Sequence, residues 1–400
     1  MKVLFANFFN DEAYGMRILH SIVSERYDCK ILFIKENNEQ LITKVISNYS
    51  PDVLCVSLTS PNFCLYKKLY EGIRKSMNGG LIVLGGWHPT LNPNSCAPYC
   101  DVVVQGEAEK NILKILDDIE RKSFLNLYTF SSLSKDINHP LFVFNGNNCI
   151  TIEKGQILFG EPYSRNERYG TMMGRGCPYS CTYCSNSFMK EKYNNWTKIR
   201  YRNFEKVLEE LLVVRKLFPN IKKINFYDEV FFQTEQYDSF LRQYKQEIGL
   251  PFFCMFYPGT VSEPMVEKLK EAGMVGVWLG VQSGSERVRR HVFERRYSNE
   301  KLMKQILMFK KHDVDVRYDF IFSNPFETKE EYQETIQLIK TFPKPFSINM
   351  FELKWFPNTK ITKMALESGY SITTEDEIFY ENPSYLIDEE KQKEILQEIG

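Results

Sequence analysis

Short apolar runs alternate with helix-period stretches twice along this chain, and that alternation restricts the fold more than any other feature. In the first domain-sized stretch, runs at 3–7, 29–34, 53–58, 81–85 and 102–104 have the length and apolar density of buried strands. Between them, 16–25, 41–47, 66–77 and 109–120 place apolar residues at helical spacing. Strand–helix–strand crossovers are right-handed, so the pattern predicts an α/β domain, a parallel sheet with helices on both faces. The alternation resumes at residue 169, with strands at 171–173, 221–227, 252–256, 276–281, 315–322 and 347–354 and helices at 204–217, 235–248, 264–272, 299–312 and 329–341. These six strands and their helices would build a partial (β/α)6 barrel of TIM type, open on one side. The expected layout is a first domain over 1–122, a linker over 123–168 with a small hairpin through Asn145-Gly146, and a barrel with a C-terminal extension over 169–400.

A chain of 400 residues is long enough for two such cores. Lys plus Arg and Asp plus Glu both number 51, so no overall field draws the chain to nucleic acid or to an anionic membrane. No apolar stretch approaches bilayer length, and Met1-Lys2 runs straight into Val3-Leu4-Phe5-Ala6 without a cleavage pattern, so a cytoplasmic protein is expected. Its 10 cysteines are scattered along a long chain, which argues against a disulfide framework.

Three of those cysteines stand apart. Residues 174–186 read Gly-Arg-Gly-Cys-Pro-Tyr-Ser-Cys-Thr-Tyr-Cys-Ser-Asn, spacing Cys177, Cys181 and Cys184 as C-x3-C-x2-C. Three soft thiolates on one tight loop suit an iron–sulfur cluster or zinc. A structural zinc wants a fourth protein ligand close by, and no Cys or His follows before Cys254, so a 4Fe-4S cluster with one open iron is favoured. In the first domain three strand ends carry polar and glycine-rich segments: Ser57-Leu58-Thr59-Ser60-Pro61, Gly85-Gly86-Trp87-His88-Pro89 and Gln105-Gly106-Glu107-Ala108-Glu109. Ligands of open parallel sheets bind beyond such ends, where glycines admit close backbone approach and hydroxyls offer short hydrogen bonds.

Taken in order, these motifs resemble a known family. The cysteine loop, with Tyr183 just before its last thiol, is similar to that of the radical S-adenosylmethionine enzymes. Gly85-Gly86-Trp87-His88-Pro89-Thr90 and Asp101-Val102-Val103-Val104-Gln105-Gly106-Glu107 resemble the G-G-x-H-x-T and D-x-V-V-x-G-E elements of the cobalamin-binding domain that precedes the barrel in a large group of them. The resemblance implies a flavodoxin-like (Rossmann-type) domain in which Ser57, Thr59, Gly85, Gly86, His88, Gly106 and Glu107 hold cobalamin. It also implies an S-adenosylmethionine site made of Tyr183, Asp228 and Glu229 near the methionyl amine, Gln282 and Ser283 near the ribose, and Ser323 and Pro325 near the adenine. This chain departs from the pattern in two of these elements, with Gln282 where Glu is usual and Ser323 where Gly is common. The loop after the first strand, Asp11-Glu12-Ala13-Tyr14-Gly15, lacks the His of a D-x-H-x-x-G motif, so no protein imidazole from that loop is expected on cobalt. Thr328 and Glu331 form a capping-box pattern, a structural account of part of the adenine element. Arg175, Arg202, Arg287, Arg295, Arg296 and Arg317 are candidates for holding an anion, though most read as solvated side chains.

The implied enzyme uses a 4Fe-4S cluster, S-adenosylmethionine and cobalamin. Reductive cleavage of S-adenosylmethionine would give a 5'-deoxyadenosyl radical, most simply for methylation of an unactivated carbon, or a phosphinate, in a specialised metabolite. The alternative is radical cyclisation or rearrangement without methyl transfer. A tRNA methylthiotransferase would carry three extra cysteines at auxiliary-cluster spacing in the first domain and a basic terminal domain, and this chain offers neither the spacing nor the charge. A non-catalytic cobalamin sensor predicts a damaged cysteine loop, whereas this one is whole. Expected partners are a small-molecule substrate and an external electron donor such as flavodoxin or ferredoxin, with no nucleic acid and no membrane.

Overall fold

The computed structural model describes residues 1–9, 12–130, 133–142, 146–193, 196–231, 237–372 and 385–400. Its first sheet contains β1 (Lys2–Phe8), β2 (Asp28–Ile34), β3 (Val53–Ser57), β4 (Leu81–Gly85), β5 (Val102–Gln105), β6 (Leu127–Thr129), β7 (Cys149–Glu153) and β8 (Gln156–Phe159). They lie in the order β6-β5-β4-β3-β1-β2-β7-β8, and every pair is parallel except β7 with β8. The central strand β1 shows why its sequence is almost continuously apolar. Leu4, Ala6 and Phe8 enter the core on one face, while Val3 and Phe5 enter the core on the other.

The strand order turns back between β3 and β1, the switch point at which such sheets bind ligands. The helix Ser60–Ser76 starts at the end of β3, six residues earlier than the apolar periodicity of 66–77 suggests. Ser60 and Pro61, expected only as part of a polar strand end, open this helix, since Pro fits the first turn, where its missing N–H costs nothing.

The segment 123–168 does more than connect. It supplies β6 at one edge of the first sheet and the β7–β8 hairpin at the other. That hairpin turns at Lys154-Gly155, both with positive φ (52° and 72°), the geometry of a tight two-residue turn. Asn145, on which the expected hairpin was placed, lies outside the described residues. Arg17, fully buried, pairs with Glu161 at 2.7 Å and so ties the helix Tyr14–Val23 to the chain after β8.

The second sheet follows: β9 (Arg168–Thr171), a ribbon of β10 (Gly174–Arg175) and β11 (Arg200–Tyr201), then β12 (Lys223–Phe226), β13 (Phe252–Phe256), β14 (Met274–Gln282), β15 (Asp315–Phe322) and β16 (Ser347–Glu352). Ribbon aside, these are six parallel strands in the order β16-β15-β14-β13-β12-β9, so each strand lies beside its predecessor, and the curled sheet leaves β9 and β16 as edges. This is the half-barrel, open on one side, that the alternation predicts. The first strand falls at 168–171 instead of 171–173 because the backbone at Met173 and Gly174 is drawn off the sheet by Asp228. Among the described residues no helix is long and apolar enough to cross a membrane.

Candidate active site

The cysteine loop is held from several sides. Asp228, at the end of β12, accepts the amides of Met173 at 3.0 Å and Gly174 at 2.7 Å. Thr182 Oγ1 donates to the Val292 carbonyl at 2.6 Å, and the Thr182 carbonyl accepts from Ile361 N at 3.1 Å. Lys190 Nζ donates to the Pro178 carbonyl at 2.6 Å and to Ser180 Oγ at 3.0 Å. The stretch around Cys177 and Cys181, between β10 and the helix Ser185–Lys192, is thereby fixed by side chains and backbone from elsewhere in the barrel sequence.

Cys177, Cys181 and Cys184 line a cavity of about 480 Å³ at the carboxyl ends of the barrel strands. Thr59, Ser60, Trp87 and Leu91, from beyond β3 and β4 of the first sheet, line the same cavity. No further Cys and no His is among its described lining residues. Three thiols with no fourth protein ligand suit a cubane cluster with an open iron better than structural zinc. Burial pushes the Cys177 thiol up to about 12, so it is protonated until a metal claims it.

On the barrel side, Tyr183, Glu229 and Gln282 all face this cavity. Glu229 Oε2 is buried without a hydrogen-bond partner, and burial raises its carboxyl to about 7 against a hydrogen bond from Asn186. That orphaned acceptor beside the cysteines fits a bound ammonium group. Asp228 is committed instead to the loop amides, and burial raises it to about 7 despite them. Gln282 sits at the end of β14 with φ 73°. Ser283 turns away: its Oγ donates to Glu327 at 3.2 Å and accepts the amide of Ser285 at 3.1 Å. Ser323 is exposed and bonded to Lys391 Nζ at 2.7 Å, and neither it nor Pro325 lines the cavity.

Two charged cavity residues matter beyond the expected cofactor contacts: Arg295, named in the sequence only as one of six candidate anion-holding arginines, and Asp319, not singled out there. Arg295 is buried: Nη1 lies 3.4 Å from Cys181 Sγ and donates to Tyr183 Oη at 3.0 Å, Nη2 bonds the Gly280 carbonyl, and the guanidinium lies 4.2 Å from the Tyr257 ring centroid. Its partners come from distant loops, so its local sequence holds no signal. Asp319 on β15 also lines the cavity. Here a signal exists: Tyr318, Phe320 and Phe322 are buried, while Arg317 and Asp319 alternate with them on the other face, which marks polar residues on the inner face of a barrel strand.

The residues expected at the cobalamin site separate in the same way. Thr59, Ser60, Trp87 and Leu91 face the cavity from the ends of β3 and β4, beside the switch point, where the partly exposed Trp87 ring offers an apolar contact to a corrin ring. Gly86 needs its glycine because φ is 96° and a Cβ would fall 2.8 Å from Ser57 Oγ and 2.9 Å from Leu58 N, so the loop packs tightly on the end of β3. Gly85, by contrast, has no protein atom closer than 3.9 Å to where its Cβ would stand. His88 is fully buried between Ser60 and Ser95, at 3.0 and 2.9 Å from its two nitrogens, and stacks on Phe63; burial and the Lys67 charge lower it to about 3. It braces the loop and does not face the cavity. Gly106 is approached by Tyr193, whose hydroxyl would lie 2.3 Å from an added Cβ. Glu107 is bidentate to Arg200 at 2.7 and 2.8 Å and 3.5 Å from Arg175, while Glu109 holds Arg175 at 2.5 Å. Burial works against the Glu107 charge, yet Arg200 and Arg175 hold its carboxyl below the usual range. These acids clamp the β10–β11 ribbon that leads into Cys177.

Comparison with known proteins agrees with both halves. Residues 1–116 match the B12 binding domain, and residues 171–339 match the Radical SAM superfamily. The chain belongs to the cobalamin-binding radical S-adenosylmethionine enzymes. Members of this family use a 4Fe-4S cluster, S-adenosylmethionine and cobalamin, and the thiols, the Glu229 acceptor and the strand-end lining of Thr59, Ser60, Trp87 and Leu91 described above fit all three. An uncharacterized methyltransferase of Pyrococcus horikoshii is 26% identical over 90% of this chain and 79% of its own length. The bacteriochlorophyllide d C-8(2)-methyltransferase of Chlorobaculum tepidum is 25% identical over 82% of this chain and 72% of its own. Among solved structures, the radical S-adenosylmethionine methyltransferase TsrM of Kitasatospora setae, with tryptophan and an S-adenosylmethionine analogue bound, has the same fold at a TM-score of 0.69 and 14% identity, covering 93% of this chain and 77% of that one.

Proposed function

We propose that this enzyme transfers a methyl group from S-adenosylmethionine, by way of cobalamin, to an unactivated carbon of a small molecule, a specialised metabolite, in the cytoplasm. The observation that carries the reading is the shared chamber: the three cysteines and the strand-end residues Thr59, Ser60, Trp87 and Leu91 line one cavity. When bound, the cluster and S-adenosylmethionine supply hydrogen abstraction, and cobalamin supplies the methyl group. The protein's own part is placement. Glu229 accepts the methionyl ammonium, Gln282 meets the ribose, and Arg295 sets a positive charge beside the Cys181 sulfur. The aromatic walls formed by Trp87, Tyr257, Trp278, Phe356 and Tyr385 exclude water from a reactive intermediate. Electrons come from an external donor of the flavodoxin or ferredoxin type.

Both relatives cited above are methyltransferases by name, while two further relatives, 21% and 22% identical over 76% of this chain, are cyclases by name, so methyl transfer is the leading reading and cyclisation its alternative. The test is turnover of the reconstituted holoenzyme in a metabolite extract with S-adenosylmethionine deuterated on its methyl group. The expected result is a metabolite that gains the labelled methyl on carbon. Consumption of a metabolite with deoxyadenosine release and no label in any product would replace this reading with cyclisation or rearrangement.

A further inference from the structure

The cavity has two acidic side chains, and only one stands among the cysteine-side groups. Glu229 adjoins the cluster loop through Asn186. Asp319 projects from β15 beside Gly280 of β14, its register partner, and both line the cavity. Asp319 Oδ1 accepts Asn349 Nδ2 at 2.8 Å. Among the described residues no donor reaches its other oxygen, and no cation lies within ion-pair distance of it. Trp278, on the same face of β14 as Gly280, also lines this side, steadied by Tyr227 at 5.7 Å and Phe253 at 5.2 Å between ring centroids. Phe356 and Tyr385 line the cavity as well.

Charge decides what such a compartment accepts. The one cationic side chain among the described lining residues, Arg295, is already engaged by Cys181, Tyr183 and the Gly280 carbonyl and lies over Tyr257. A substrate carboxylate or phosphate would therefore meet the half-buried Asp319 carboxylate, whose nearest positive charge, Arg295, is already engaged, an unfavourable arrangement. A flat apolar body gains from the Trp278 and Phe356 rings, and a positive group gains from the unshared oxygen of Asp319.

We propose that the substrate of this enzyme is a planar aromatic or conjugated-ring compound bearing a protonated amine, with the ring against Trp278 and the amine on Asp319. The inference rests on the reading of this cavity as the site of methyl transfer. Asp319 is then a specificity residue, and Asn349 is the positioning residue that orients it.

Equilibrium dialysis of the anaerobic holoenzyme, loaded with cobalamin and S-adenosylmethionine, tests the charge preference without turnover. The probes share one ring system: naphthalen-1-ylmethylamine, naphthalen-1-ylmethanol and naphthalene-1-carboxylate. The amine should bind about tenfold or more tighter than the alcohol, the equivalent of one charged hydrogen bond, and the carboxylate more weakly than either. Asp319→Asn should bring the amine to the level of the alcohol, while Asp319→Glu should keep the preference. Iron content and the absorbance of bound cobalamin verify that each variant is loaded. Failure of the amine to bind, equal binding of amine and carboxylate, or a preference that survives Asp319→Asn overturns the proposal. An Asp319-dependent amine preference in an enzyme that transfers no methyl group would overturn the function and leave this site standing; methyl transfer without the preference would do the reverse.

Discussion

At the scale of single residues, His88 shows how a motif position is spent on structure. Both ring nitrogens are taken by hydroxyls, the ring is stacked on Phe63, and its depressed pKa keeps it neutral. His88→Ala should lower stability by about 2 kcal/mol, because the buried Ser60 hydroxyl and the half-buried Ser95 hydroxyl each lose a partner. The electron paramagnetic resonance of bound cob(II)alamin should meanwhile show no change in nitrogen coupling. A lost coupling in that spectrum would mean that His88 reaches cobalt after all. Glu107 teaches the same lesson, since its place in D-x-V-V-x-G-E suggests a ligand contact and its geometry shows a clamp on Arg200 and Arg175. Sequence makes the chemical type of such residues legible. It does not say which way they point, because Arg175 and Arg200 come from the other domain and their approach is fixed only by docking.

At the scale of elements, the strands and helices were readable because each carries its own period. Val53–Ser57 and Phe252–Phe256 are apolar runs of strand length, and Phe204–Leu217 follows helical spacing from end to end. Places where an element is bent by a distant side chain were not readable, as where Asp228 draws off the chain after β9. The capping box at Thr328 and Glu331 was legible and is present, with Glu331 accepting the Thr328 amide at 2.9 Å and pairing through Arg287 Nη2 at 2.7 Å. Arg287, opposed by burial, holds the Glu331 carboxyl down to about 2 from its usual 4.5. A lowered carboxyl stabilises the fold above its unfolded pKa, and that stability is lost as pH falls from about 4.5 through about 2. Glu331→Gln should therefore cost about 1–2 kcal/mol at neutral pH, discounted for the half-exposed Arg287. The difference between the two proteins in urea denaturation should shrink as acid is added. A difference of the same size at every pH would show that the pair contributes nothing through charge.

At the scale of the whole molecule, the two domains make one site because the Gln105-Gly106-Glu107-Ala108-Glu109 loop of the first grips the ribbon that leads into the cysteines of the second. The Glu107 and Arg200 side chains are only 12% and 15% exposed, so losing this partner leaves a largely desolvated cation unpaired. Glu107→Ala should cost about 2–5 kcal/mol of docking, seen as faster proteolysis between the domains and a lower iron content after reconstitution. Unchanged proteolysis and full iron would show that the clamp is dispensable. The central claim, that one chamber runs cluster and cobalamin chemistry together for methyl transfer, predicts two products of S-adenosylmethionine from one enzyme. The direct measurement is chromatography of anaerobic holoenzyme reactions with reductant and S-adenosylmethionine, with and without cobalamin, for the wild type and for Cys177→Ala. The account predicts S-adenosylhomocysteine that requires cobalamin and 5'-deoxyadenosine that requires Cys177. Deoxyadenosine alone, with no cobalamin-dependent S-adenosylhomocysteine, would contradict it.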